Sequence, residues 1–161
     1  MSDKIKLLMV DDEVRFLQTL QKRLEMRDFD VTAVTNGTDA IEAAGRERFD
    51  LALLDLKMPG IDGEEVLAKL KQQDQYIEVV MLTGHGSVDS AVRSTKLGSF
   101  AYLQKPCETE ELLEVLKEAY SKRVKAKLDL DQEKMEEMMR SFTGEGPLGI
   151  LRKLRELEKK G

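Results

Sequence analysis

The chain has 161 residues, 41% hydrophobic and 35% charged, which suits one domain with something small appended and suffices for a core without disulfides or metals. Lys and Arg number 26 against 31 Asp and Glu; a net charge of −5 excludes a protein that simply coats nucleic acid, though it leaves room for a local basic patch. No apolar run approaches the roughly 20 residues of a membrane span, the opening MSDKIKLLMVDDE carries acids where a secretion signal is still apolar, and the sole cysteine, Cys107, rules out an internal disulfide, so a cytoplasmic location is expected.

Short apolar runs alternate with amphipathic stretches, the pattern of βα units around a parallel sheet. In chain order the pattern predicts a strand near Ile5 to Val10, a helix near Val14 to Arg27, a strand near Asp30 to Thr35 and a helix near Thr38 to Arg48. There follow a strand near Leu51 to Asp55, a helix near Gly63 to Gln72, a strand near Glu78 to Leu82 and a helix near Val88 to Leu97. A strand near Phe100 to Leu103 and a helix from Thr109 to about Ser121 complete five pairs. LALLDL and EVVMLT lack strict alternation, as expected of strands covered on both faces.

Glu110 to Met139 holds no proline or glycine, and Leu112, Leu116, Ala119, Tyr120, Val124 and Leu128 recur at helical spacing, so the last helix is expected to run past Ser121. GEGPLG at 144–149 breaks that pattern, and Leu151, Leu154 and Leu157 then mark a short final amphipathic helix. Charge changes at the same place: residues 1–121 hold 23 acids and 15 bases, whereas 122–161 hold 8 acids and 11 bases. The chain therefore divides into an α/β domain over 1–121 and a helical C-terminal extension over 122–161, whose apolar stripe is expected to pack on a downstream protein target or a second copy of the chain, simple packing on the α/β domain itself being the alternative.

In open parallel sheets, ligands bind at the carboxyl ends of the strands where the strand order reverses. The first strand ends in Asp11, Asp12 and Glu13, the third in Asp55, the fourth in Thr83, and Lys105 and Pro106 follow the fifth. If the first and third strands adjoin, three aspartates converge beside a hydroxyl and an ammonium. Clustered carboxylates repel one another unless a cation neutralises them, and hard oxygen donors with room for water suit Mg²⁺ better than zinc. Taken singly, each acid reads equally as a solvated loop residue, and Asp11 or Asp12 as the cap of the helix at Val14. The combination is what points to a site.

LLMVDDE, LALLDLKMPGIDG, VVMLTGHG and AYLQKP resemble the signature segments of the response-regulator receiver domain of bacterial two-component signalling, over residues 4 to about 121. TGHGSVDSAV and LGSFAYLQKP are most similar to receivers of nitrogen-regulation and FixJ-type regulators. The resemblance implies a flavodoxin-like, doubly wound five-stranded parallel sheet of order 2-1-3-4-5, acting as a phosphoacceptor switch rather than a conventional enzyme. It implies Asp55 as acceptor of a phosphoryl group from a sensor histidine kinase or histidine phosphotransfer protein. It further implies Mg²⁺ on Asp12, Asp55 and the main-chain carbonyl of Lys57, with Asp11 holding the ion through water. Lys105 would pair with phosphoryl oxygens, Thr83 would move toward them, and Tyr102 would rotate inward; without the resemblance Tyr102 reads only as an amphipathic strand-edge residue. The Lys105–Pro106 bond would be cis.

Lys57 and His85 stand at positions that vary in the family, placed to influence hydrolysis of the phosphorylated form. Cys107 reads as a small buried hydrophobe rather than a redox sensor, and Met135, Met138 and Met139 as packing residues or, by their adaptability, a partner surface. Two other functions compete. The receiver portion of a DNA-binding transcriptional regulator would draw on the basic cluster Lys122, Arg123, Lys125 and Lys127, although no recognition-helix pair is visible. A nucleotide or flavin enzyme of similar shape would need a phosphate-binding glycine motif after the first strand, and the sequence has none there.

Overall fold

Strands β1 (Ile5–Val10), β2 (Phe29–Val34), β3 (Leu51–Leu54), β4 (Glu78–Thr83) and β5 (Ala101–Gln104) form one parallel sheet of order β2-β1-β3-β4-β5 in the computed structural model. The structure describes residues 4–128 together with Glu137 and Arg155. Helices α1 (Val14–Glu25), α2 (Gly37–Arg46), α3 (Gly63–Gln73), α4 (Val88–Lys96) and α5 (Thr109–Leu128) connect and cover the strands. The order reverses between β1 and β3, where Val10 lies opposite Leu54, so the residues that leave these strands, Asp11 and Asp55, emerge side by side.

Successive strand residues point to opposite faces, and the core splits accordingly. Leu7, Met9, Leu51, Leu53, Val80 and Leu82 pack with Leu17, Leu20 and Leu24 of α1 and Leu112, Leu116 and Tyr120 of α5. Leu8, Val10, Ala52, Leu54, Val79 and Met81 pack with Ala40 of α2 and Val66, Leu67 and Leu70 of α3. This explains why β3 and β4 are buried at every position and read as unbroken apolar runs. Helix α4 differs, since its buried residues are Ser90 and Ser94, while Val88 and Val92 are exposed. Its buried face thus adds little apolar surface to the core.

Element boundaries shift by a residue or two from the sequence expectation: Asp55 and Phe100 fall just outside β3 and β5, and Thr83 is the last residue of β4. At the C-terminal side, α5 does run past Ser121, and Val124 and Arg123 are buried against the domain. Arg123 is 1% exposed; its Nε lies 3.2 Å from Asp50 Oδ1 and its Nη1 3.3 Å from Asp74 Oδ2. The other Asp50 oxygen accepts the Lys6 backbone N–H at 2.8 Å. Lys122 Nζ lies 3.5 Å from Glu78 Oε1. The expectation of a basic cluster is corrected by these contacts, because its central guanidinium is buried between two carboxylates and Lys122 is drawn to a third. The composition changes at Ser121 but the packing does not stop there. Met135, Met138, Met139, the GEGPLG segment, Leu151, Leu154 and Leu157 lie outside the described residues.

Candidate functional site

Among the described residues, Asp11, Asp12 and Asp55 bring one carboxylate oxygen each to within 4.8 Å of one another. Asp11 and Asp55 are buried and Asp12 is exposed. Asp11 and Asp55 owe their places to local backbone bonding. The Asp55 N–H donates to the Val10 carbonyl at 2.9 Å, carrying the β1–β3 ladder one residue past the strand, and Asp55 Oδ1 accepts the Leu56 N–H at 2.8 Å. Asp11 Oδ1 accepts the Glu13 N–H at 2.9 Å and so turns the chain into α1. Glu13, not Asp11 or Asp12, occupies the position before the helix, and its side chain makes no capping bond; the aspartates are left to the cluster.

The loop after Asp55 is held down by the start of α3. The Gly63 N–H donates to the Leu56 carbonyl at 2.7 Å, and a Cβ at Gly63 would collide with the Asp55 carbonyl oxygen and lie 2.9 Å from the Leu56 Cα. Both obstacles are backbone and cannot swing aside. Gly63→Ala is therefore expected to lower stability by at least about 1–3 kcal/mol, the range for overpacking, as read by urea denaturation, and to displace Asp55 from the cluster.

Lys105 supplies the positive charge. Its Nζ lies 2.6 Å from Asp11 Oδ2, 3.3 Å from Glu13 Oε1 and 4.0 Å from Asp55 Oδ2. Burial pushes the Asp11 carboxyl above its ordinary value, against the opposing pull of Lys105. Burial acts to lower the Lys105 ammonium, but Asp11, Asp55 and Glu13 outweigh it and hold the group up, so it stays charged. The single ammonium faces Asp11, Asp12 and Asp55 and is shared with Glu13, so negative charge remains in excess, and all the donors are hard oxygens. The set fits a divalent cation such as Mg²⁺.

Thr83 is fully buried; its Oγ1 accepts the His85 backbone N–H at 3.0 Å and its carbonyl accepts the Lys105 N–H at 2.9 Å. The Lys105–Pro106 bond is cis, as the resemblance implied. Tyr102 Oη lies 2.5 Å from Ser90 Oγ, and Ser90 belongs to the capping box that starts α4 with Ser87. The side chains of Asp12, Lys57 and His85 line one open cleft of about 460 Å³, with Met58, Pro59 and Asp62. Cys107 is partly covered by the α1–α5 core, and burial pushes its thiol up, with the acids Glu111 and Glu108 adding to the effect.

Residues 7–117 match the family described as the response regulator receiver domain. The chain belongs to that family. The receiver is 37% identical over 123 residues to the regulatory protein LuxO of Vibrio cholerae, a match covering 76% of this chain but 27% of LuxO. It is 33% identical over 112 residues to sporulation initiation phosphotransferase F of Bacillus subtilis, covering 70% of this chain and 90% of that one. Among solved structures, a CheY-like receiver domain protein from Methanospirillum hungatei superposes with a TM-score of 0.74 at 30% identity, over 76% of this chain and 98% of the other. The sheet order, the helices on both faces and the acidic pocket are those of a two-component receiver, a phosphoacceptor switch family.

Every residue singled out at the strand ends is thus brought to one edge of the receiver. Sequence reasoning missed the contact of Glu13 with Lys105, the hydroxyl pair of Tyr102 and Ser90, and the obligatory glycine at 63. For Arg123 a signal existed: it stands seven residues after Leu116, on the apolar stripe rather than the charged face.

Proposed function

We propose that this receiver is phosphorylated on Asp55 by a sensor histidine kinase or histidine phosphotransfer protein. The observation that carries the reading is the position of Asp55, buried where β1 and β3 diverge, with two further carboxylates and one ammonium gathered on it. An Asp55 oxygen attacks phosphorus, the O–P bond forming as the N–P bond of the phosphohistidine breaks, and the electron pair leaves on the imidazole nitrogen. Asp12, Asp55 and the Lys57 carbonyl would hold Mg²⁺, with Asp11 acting through water; the ion, when bound, offsets negative charge on the phosphoryl oxygens.

The receiver's own residues do the rest. Lys105 transfers its pairing from Asp11 toward a phosphoryl oxygen. Thr83 turns its hydroxyl to the same group, and Tyr102 gives up Ser90 and rotates inward, which releases the first turn of α4. The changed surface recruits a downstream protein target or a second copy, in the cytoplasm. Acetyl phosphate with Mg²⁺ is expected to label one residue, and borohydride reduction followed by peptide mass spectrometry should place it at position 55. Label at another residue, or label undiminished by EDTA, contradicts the reading.

A second reading, the receiver portion of a larger transcriptional regulator, is favoured by the relatives: the Escherichia coli protein GlrR is by name a transcriptional regulatory protein, and this chain covers 26% of it. DNA binding by the residues after Ser121 gains no support from the buried Arg123. Salt-dependent binding of this chain to duplex DNA would restore it.

A further inference from the structure

We infer that Phe16 is a positioning residue for Lys105, its ring face holding the ammonium beside Asp55 before a phosphoryl group arrives. The inference rests on the reading of Asp55 as the acceptor. Lys105 Nζ lies 4.1 Å from the centroid of the Phe16 ring, well inside the ~6 Å reach of a cation–π contact. The lysine side chain is 12% exposed, so little water competes for it.

Asp11, Glu13 and Phe16 all come from the junction of β1 and α1, and together they surround one ammonium. The two kinds of partner differ in what happens when a divalent cation binds. A cation that takes up the charge of Asp11 weakens the hold of Asp11 on Lys105 and also repels the ammonium. The uncharged ring is a partner whose attraction that event leaves unaltered, beside Glu13, which lies outside the cluster of three aspartates. Lysine carries its ammonium on a flexible four-carbon stem, so without the ring the ammonium is held less firmly just when it is needed. Phe16 also shares with Asp11, Leu17 and Asp55 a void of about 10 Å³, at the lower limit for one water.

The test uses the full chain, with Phe16→Leu to remove the ring while keeping an apolar side chain, and Phe16→Tyr to restore it. In the unmodified protein the Lys105 ε-methylene protons should be shifted upfield by the ring; their absence from that region overturns the inference without any variant. Phe16→Leu should return them to ordinary values and weaken binding of beryllofluoride, a phosphoryl mimic, by about five-fold. Phe16→Tyr should recover both. Unaltered beryllofluoride affinity in Phe16→Leu, or equal loss in both variants, overturns the role of Phe16 while leaving Asp55 as acceptor. A wild-type chain that neither binds beryllofluoride nor takes label at Asp55 overturns both.

Discussion

An Asp55→Asn variant is expected to take no phosphoryl group from acetyl phosphate and yet to fold. The side chain is 2% exposed, and its one short bond, from the Leu56 N–H to Oδ1, can be kept by the amide oxygen of asparagine. What the variant loses is the nucleophilic oxygen and one negative charge. Removing a charge from a cluster of three, with Lys105 still 2.6 Å from Asp11, relieves repulsion that burial makes costly. A second consequence follows. Mg²⁺ should raise the melting temperature of the wild type, because a ligand that binds only the folded state stabilises it, and should raise that of the variant much less. Label retained in Asp55→Asn, or an equal response to Mg²⁺, would remove Asp55 from its assigned role.

Arg123→Ala is expected to be among the most destabilising substitutions in the chain. The guanidinium is buried between Asp50 and Asp74, and its loss leaves the largely buried Asp50 carboxylate, and the partly exposed Asp74, without this counter-charge. Breaking a buried pair from one side costs about 3–5 kcal/mol, which should appear as a lower urea midpoint with little change in slope. Adding Asp50→Asn to Arg123→Ala should recover part of the loss, since the orphaned charge is then gone. The same reasoning separates two truncations. Ending the chain after Ser121 removes Arg123 and the buried Val124 and should destabilise comparably, whereas ending it after Leu128 should not.

The site was more legible in the sequence than the edges of the fold. Asp11, Asp12, Asp55, Thr83 and Lys105 could be named because each stands where an apolar run stops, and a parallel sheet with helices on both faces leaves its strand ends as the place for charge. The side chains that hold these residues were not legible. Phe16 reads as one more apolar residue of α1, and its place over an ammonium depends on a contact across 89 residues of sequence. Ser90 reads as a helix cap, which it is, and nothing local says that its hydroxyl also meets Tyr102. Arg123 was misjudged for a different reason: Lys122, Lys125 and Lys127 around it are surface-type residues, and local composition outweighed the helical phase that turns position 123 inward.

Helix α5 begins four residues after Lys105 and continues for 20 residues to Leu128, a length of about 30 Å. Arg123 fastens its far part to Asp50 and Asp74, which precede β3 and β4 at the ends of the strands remote from Asp55. If Lys105 moves toward a phosphoryl group on Asp55, as proposed, the displacement of α5 is expected to be greatest around Thr109 and to die away toward Arg123, which Asp50 and Asp74 hold in place. A partner gripping the near turns of this helix would then register a change of angle, while a module joined beyond Leu128 would sit close to the anchored part, where such motion is least.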